Sequence, residues 1–168
     1  MRYTIPLLAS LCLLLAGCVN AGAGLSPETQ EQIPDGANVI RLTSDRAPSE
    51  YYDALYQELA RKGYEITQSD DEQNTLSTAP KASGQETTLA LRLFVDEREG
   101  GSVALLRGRW GLSGSMAAGV GAVAGAGVNK NIGEPAVWKQ RNRAGVAFGQ
   151  LVKTAQDLPH QQISYEVE

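Results

Sequence analysis

The chain has 168 residues, with 15 Lys or Arg against 19 Asp or Glu and a formal net charge of −4 at neutral pH. That balance argues against a general nucleic-acid binder, and the length suits one domain with a core of its own. Both cysteines, Cys12 and Cys18, lie in the first eighteen residues, so everything after them must be stabilised by packing and not by an internal disulfide.

The chain opens with Arg2, continues as an apolar run from Ile5 broken by Pro6, and reaches Leu15-Ala16-Gly17-Cys18. The run is shorter than the roughly 20 residues that span a bilayer, and small residues precede the cysteine. These residues resemble the lipobox of bacterial lipoproteins. The resemblance covers about the first twenty residues and implies that residues 1–17 are a signal peptide removed before Cys18. It further implies a diacylglycerol on the Cys18 sulfur, an acyl chain on its new amino group and no other cofactor. Val19 follows, where sorting as usually described in double-membraned bacteria would need an aspartate for inner-membrane retention. Valine therefore implies the outer membrane, with the domain facing the periplasm.

Residues 18–36 are polar, rich in Gly, Ser, Pro and Gln and without apolar period, which predicts a flexible tether of about 20 to 25 Å ahead of a single domain at 37–168. Asn38 to Ser44 alternates as a strand, with Ile40 and Leu42 on one face. Pro48 then starts a helix whose inward stripe is Tyr52, Leu55 and Leu59, with Tyr51 and Tyr56 alongside as packing residues. Arg61 and Lys62 suit its negative end, and Gly63 its left-handed cap. Strands are predicted at Tyr64 to Gln68 and Asn74 to Ala79. The Asp70-Asp71-Glu72 cluster between them reads as a solvated turn, since it lacks the ligand alternation and central glycine of a calcium loop. Thr87 to Asp96 places Leu89, Leu91, Leu93 and Val95 on one face, and Ser102 to Leu112 places Ala104, Leu106, Trp110 and Leu112 likewise, which predicts a β-hairpin turning at Glu97 to Gly101.

A glycine-rich insertion at 111–133 follows, and Trp110 to Val128 is nineteen residues without a charge. It reads first as a long loop. An alternative is a membrane-inserting or self-associating element over 111–128, with Gly119, Gly121 and Gly125 as close-packing glycines at small-xxx-small spacing. The formal dinucleotide fingerprint Gly119-x-Gly121-x-x-Ala124 lacks both a leading strand and a later acidic residue, so it carries no cofactor assignment. Ala136 to Arg143 is predicted as a strand. If it pairs with the strand holding Arg107 and Arg109, those two and Lys139, Arg141 and Arg143 form an exposed face for an anionic partner. Ala144 to Leu158 is a second amphipathic helix stopped by Pro159, with Gly145 and Gly149 as close-packing devices. Gln161 to Val167 is a last strand, with Ile163, Tyr165 and Val167 alternating.

This order predicts an α+β fold: two layers, a mainly antiparallel sheet with two amphipathic helices packed on one face. In element order it is similar to small domains of envelope lipoproteins. Residues 19–99 carry a net −8, with seven basic against fifteen acidic residues, and residues 100–168 a net +3, with seven against four, an asymmetry that can mark an interaction surface. There is no thiol nucleophile after residue 18, no Gly-x-Ser-x-Gly elbow and no His or Cys pair at ligand spacing, and the lone His160 follows a helix-ending proline. The expectation is a lipid-anchored, non-catalytic accessory or scaffold protein of the envelope. Its expected partners are the membrane through the anchor and an envelope protein or a second copy of itself, without nucleic acid. An envelope glycan hydrolase built on carboxylates such as Asp70, Asp96 and Glu97 is the remaining alternative.

Overall fold

A computed structural model describes residues 24–83, 87–112, 133–139 and 142–168. Cys18, the close-packing glycines Gly119, Gly121 and Gly125, and Arg141 lie outside the described residues. The described elements run in the order α1 (Pro27–Gln32), β1 (Val39–Ser44), α2 (Pro48–Arg61), β2 (Ile66–Asp70), β3 (Thr75–Thr78), β4 (Lys81–Ala82), β5 (Thr87–Arg98), β6 (Gly101–Leu112), β7 (Glu134–Pro135), α3 (Arg143–Gln156) and β8 (Gln162–Glu166). One open antiparallel sheet in the order β2-β3-β5-β6-β1-β8 carries α2 and α3, with β4 added to β5 and β7 to β6. The two-layer α+β architecture is the one the apolar periods require.

The sheet is organised by the β5–β6 hairpin, which pairs from Thr87 with Leu112 to Arg98 with Gly101. Its turn is tighter than the predicted Glu97 to Gly101, because Gly100 takes a φ of 78°, a left-handed value that closes the hairpin in two residues. The register aligns Leu89, Leu91, Leu93 and Val95 with Trp110, Gly108, Leu106 and Ala104, and β1 adds Ile40 opposite Leu106 and Leu42 opposite Ala104. These side chains make one apolar face. Onto it pack Tyr51, Tyr52, Leu55 and Leu59 of α2 and Ala147, Phe148, Leu151, Val152 and Ala155 of α3, all buried. Each large aliphatic or aromatic side chain so buried contributes roughly 1.5–3 kcal/mol.

The helix ends follow their sequence signals. After α2, Gly63 at φ 76° lets its own N–H reach the Ala60 carbonyl and the Tyr64 N–H reach the Leu59 carbonyl, at 2.9 and 3.0 Å, a Schellman stop. At the start of α3 the Asn142 side chain accepts from the Gly145 N–H at 2.7 Å. Gly145 is required there by proximity. A Cβ would stand 2.0 Å from the Lys139 carbonyl oxygen, so only glycine lets the helix start against that strand of chain.

Four sequence expectations are corrected. The segment expected as tether is docked from Gly24 onward: Ser26 caps the short helix α1, and Leu25 and Ile33 on either side of it are buried in the core. Two isolated apolar residues suffice to hold it, and they leave no periodic signature. Where a strand was expected at Ala136 to Arg143, the described residues 136–139 form none: the pairing with β6 is made just ahead, by the two residues of β7, and α3 already begins at Arg143. Beyond β7 the chain is held by Ala136 N–H on the Gly108 carbonyl and Trp138 N–H on the Ala37 carbonyl, at 2.9 and 2.7 Å, which sends Trp138 into the core against Phe148. The strand expected at Tyr64 to Gln68 starts two residues later, after the Schellman stop. The last strand, expected over Gln161 to Val167 with Ile163, Tyr165 and Val167 alternating, is β8 at Gln162–Glu166, which leaves Val167 beyond its end and 58% exposed.

Candidate functional site

Strand alternation that fills one face of the sheet leaves the other to polar residues, and both long helices pack on the filled face. Cross-strand rows on the second face follow from the register. Phe94 stands between Thr75 and Leu105, with Arg41 beyond Leu105. In the next row Ser77, Arg92 and Arg107 are opposite one another, and one step further Arg109 lies between Ala90 and Pro135. Phe94 is 39% exposed, Leu105 half-buried, and Arg92, Arg107 and Arg109 exposed.

Most of these cations have work within the fold. Arg41 holds Glu166 in a two-pronged pair, Nε to Oε1 at 2.6 Å and Nη2 to Oε2 at 3.2 Å. The hydrogen bond from Arg41 holds the Glu166 carboxyl below its ordinary value and raises the guanidinium in turn. Arg107 pairs with Glu168, and Arg109 donates to the Gly133 carbonyl from Nη2 at 2.8 Å and Nε at 3.3 Å, fixing where the chain returns to β6. Arg92 differs, having no hydrogen-bond or ion-pair partner among the described residues while facing Arg107 directly. A like-charge pair in register is unfavourable on the scale of a few tenths to 1 kcal/mol.

Of the five cations expected on one face, the structure brings Arg107 and Arg109 together. Lys139 instead lines a groove of about 540 Å³ together with Glu31, Ile33, Asp35 and Trp138. Arg143 opens α3, where it has interactions of its own. The sequence reading missed Arg92 and Phe94. Their signal was present, since both occupy the polar register of β5, alternating with Leu89 to Val95, and an aromatic residue there is out of place.

Elsewhere the chemistry is structural. Asp70 Oδ1 accepts the N–H groups of Glu72 and Gln73 at 3.1 and 2.9 Å, so the acidic cluster caps a turn completed by Asn74 at φ 49°. His160 Nδ1 lies 2.7 Å from the Leu158 carbonyl oxygen. Tyr51, fully buried, donates its hydroxyl to the Pro159 carbonyl at 2.9 Å, and burial raises its pKa far above the usual phenol range. No group of His, Cys, Asp and Glu suited to a metal ion occurs among the described residues, nor any helix long and apolar enough to cross a membrane.

These features define a class, a two-layer α+β domain whose exposed sheet face mixes arginines with apolar side chains. The chain belongs to the TrbH family: the family model described as conjugal transfer protein TrbH matches residues 25–109, from the buried Leu25 to Arg109 in β6. The match contains Arg41, Arg92, Phe94, Leu105 and Arg107. It is a conjugal transfer family and not a known enzyme family, compatible with a bacterial envelope lipoprotein. No curated protein matches the chain.

Proposed function

We propose that the protein is a lipid-anchored, non-catalytic accessory or scaffold component of a conjugal transfer apparatus, held at the outer membrane through Cys18 with its domain in the periplasm. The observation that carries this reading is the family match over residues 25–109. The Leu15-Ala16-Gly17-Cys18 motif and Val19 supply the anchor and its membrane. Multiple acyl chains, at about 0.8 kcal/mol per buried methylene, hold a protein where one short chain would not.

The test is Cys18→Ser in donor cells. The intact protein incorporates labelled fatty acid and floats with outer-membrane vesicles, whereas the variant loses the label, leaves the membrane fraction and lowers transfer frequency. Membrane retention without acylation would overturn the anchor. Wild-type transfer by a released variant would overturn the need for it.

A further inference from the structure

The open sheet ends in two edge strands that differ in kind. At one end β2 exposes Thr67, Gln68 and Ser69 and shifts register against β3 between Ile66 and Gln68, and a bulged, polar edge is a poor template for another strand. At the other end β8 has neither device. It pairs with β1 in unbroken register from Val39 opposite Glu166 to Thr43 opposite Gln162, contains no proline or basic residue, and has no strand on its other edge among the described residues. Its carboxylate, Glu166, is matched by Arg41, so no free charge guards the edge. Ile163 and Tyr165, on the face that carries the helices, reach only the margin of the core and are half-buried.

What fits that edge is set by the strand's own sequence. Opposed side chains of an antiparallel pair lie on one face, so two copies of β8 meet only in registers that match inward residues with inward residues. Centred on Ser164, the register pairs all five residues of the strand. It sets Ile163 beside the copy's Tyr165, Gln162 beside its Glu166 and Ser164 beside Ser164, each of the first two contacts made twice. A branched aliphatic side chain then meets an aromatic one, an amide donor meets a carboxylate, and no like charges are opposed. A register centred on Glu166 would oppose two carboxylates. We infer that β8 joins the β8 of a second copy, antiparallel about Ser164, to make one continuous sheet across a twofold axis. A foreign strand would satisfy the same backbone groups, but the reciprocal match of side chains favours the chain's own copy. Five residues a side make a small interface, so the pairing is weak and responds to local concentration. It does not depend on the Cys18 anchor.

The experiment is done on the full chain in permeabilised cells, with introduced thiols and a crosslinker of roughly 8 Å, longer than the spacing of about 4.5–5.5 Å between facing Cβ atoms. The unchanged chain gives the background from Cys12 and Cys18. Ser164→Cys is expected to yield a product of twice the chain's mass. Gln162→Cys, also at an exposed position but about 14 Å from its counterpart in this register, stays near background unless co-expressed with Glu166→Cys, which faces it. Adding Ser164→Glu to both chains of that last pair lowers the yield about fivefold, and Ser164→Glu on one with Ser164→Lys on the other restores it. Because position 164 stands opposite Arg41 within the fold, the urea midpoint of Ser164→Glu should not fall, which separates lost pairing from misfolding. No Ser164→Cys product above background, equal yield from Gln162→Cys alone, or undiminished yield with Ser164→Glu on both chains would overturn the pairing. An adduct of some other mass would give the edge to a foreign strand and overturn the second copy as its occupant.

Discussion

Thr43 keeps a hydroxyl where the fold offers it nothing: its Oγ1 is buried without a hydrogen-bond partner among the described residues. Replacing it by the equally branched Val removes a desolvated polar atom at little change in shape. Thr43→Val should therefore raise stability by about 1 kcal/mol, read as a higher urea midpoint at unchanged slope. Glu166 supplies the opposite case. Its carboxyl is held below its ordinary value, chiefly by the hydrogen bond from Arg41, so it contributes stability that is complete above the unfolded value of about 4.3 and is lost as pH falls through the lower folded value. With the two side chains 37% and 34% exposed, solvent screens the pair and the contribution is modest. Glu166→Gln should lower stability slightly at neutral pH and flatten its decline below about pH 5, measured by urea unfolding across that range. Neither residue was singled out from sequence. The need of each depends on which strand lies beside β1, and that neighbour, β8, comes from the far end of the chain.

Among the elements, those with a strong period were legible. The hairpin β5–β6 declared itself by four inward leucines or valines on β5, and α2 by its stripe, its proline start and its Gly63 stop. What failed was short and aperiodic. The segment 24–36 is fixed by the buried Leu25 and Ile33 and by the Gly36 N–H on the Trp138 carbonyl, and the passage from β7 into α3 by single backbone hydrogen bonds, for which alternation gives no warning. Arg109 and Lys139 share an alternating charge pattern yet end far apart in role, because the chain leaves the sheet after two residues of β7. Gly145 shows how an element is positioned by an absence of side chain. In a free helix Gly→Ala gains up to about 1 kcal/mol, but here the new Cβ meets a carbonyl oxygen at 2.0 Å. Gly145→Ala should instead destabilise the domain by about 2 kcal/mol, visible as a lowered melting temperature, as α3 is pushed off the Lys139 segment.

At the scale of the molecule, the docked N-terminal segment makes the connection to any upstream attachment short, and its hold on the domain can be weakened independently. Ile33→Ala should cost about 2–4 kcal/mol of local stability and speed hydrogen exchange over residues 24–36 while leaving β5 and β6 protected. Beyond that segment the chain is clamped. The Asn38 amide exchanges hydrogen bonds with Glu168, at 2.9 Å to its carbonyl and 3.0 Å from its N–H, and β1 lies between β6 and β8. Under a pull along the chain ahead of Gly24, this arrangement yields in two stages. Residues 24–36 peel away first and release about 40 Å of contour, and tension then meets β1, which both neighbours resist in shear. The domain thus carries its own slack, a shock absorber in series with the sheet.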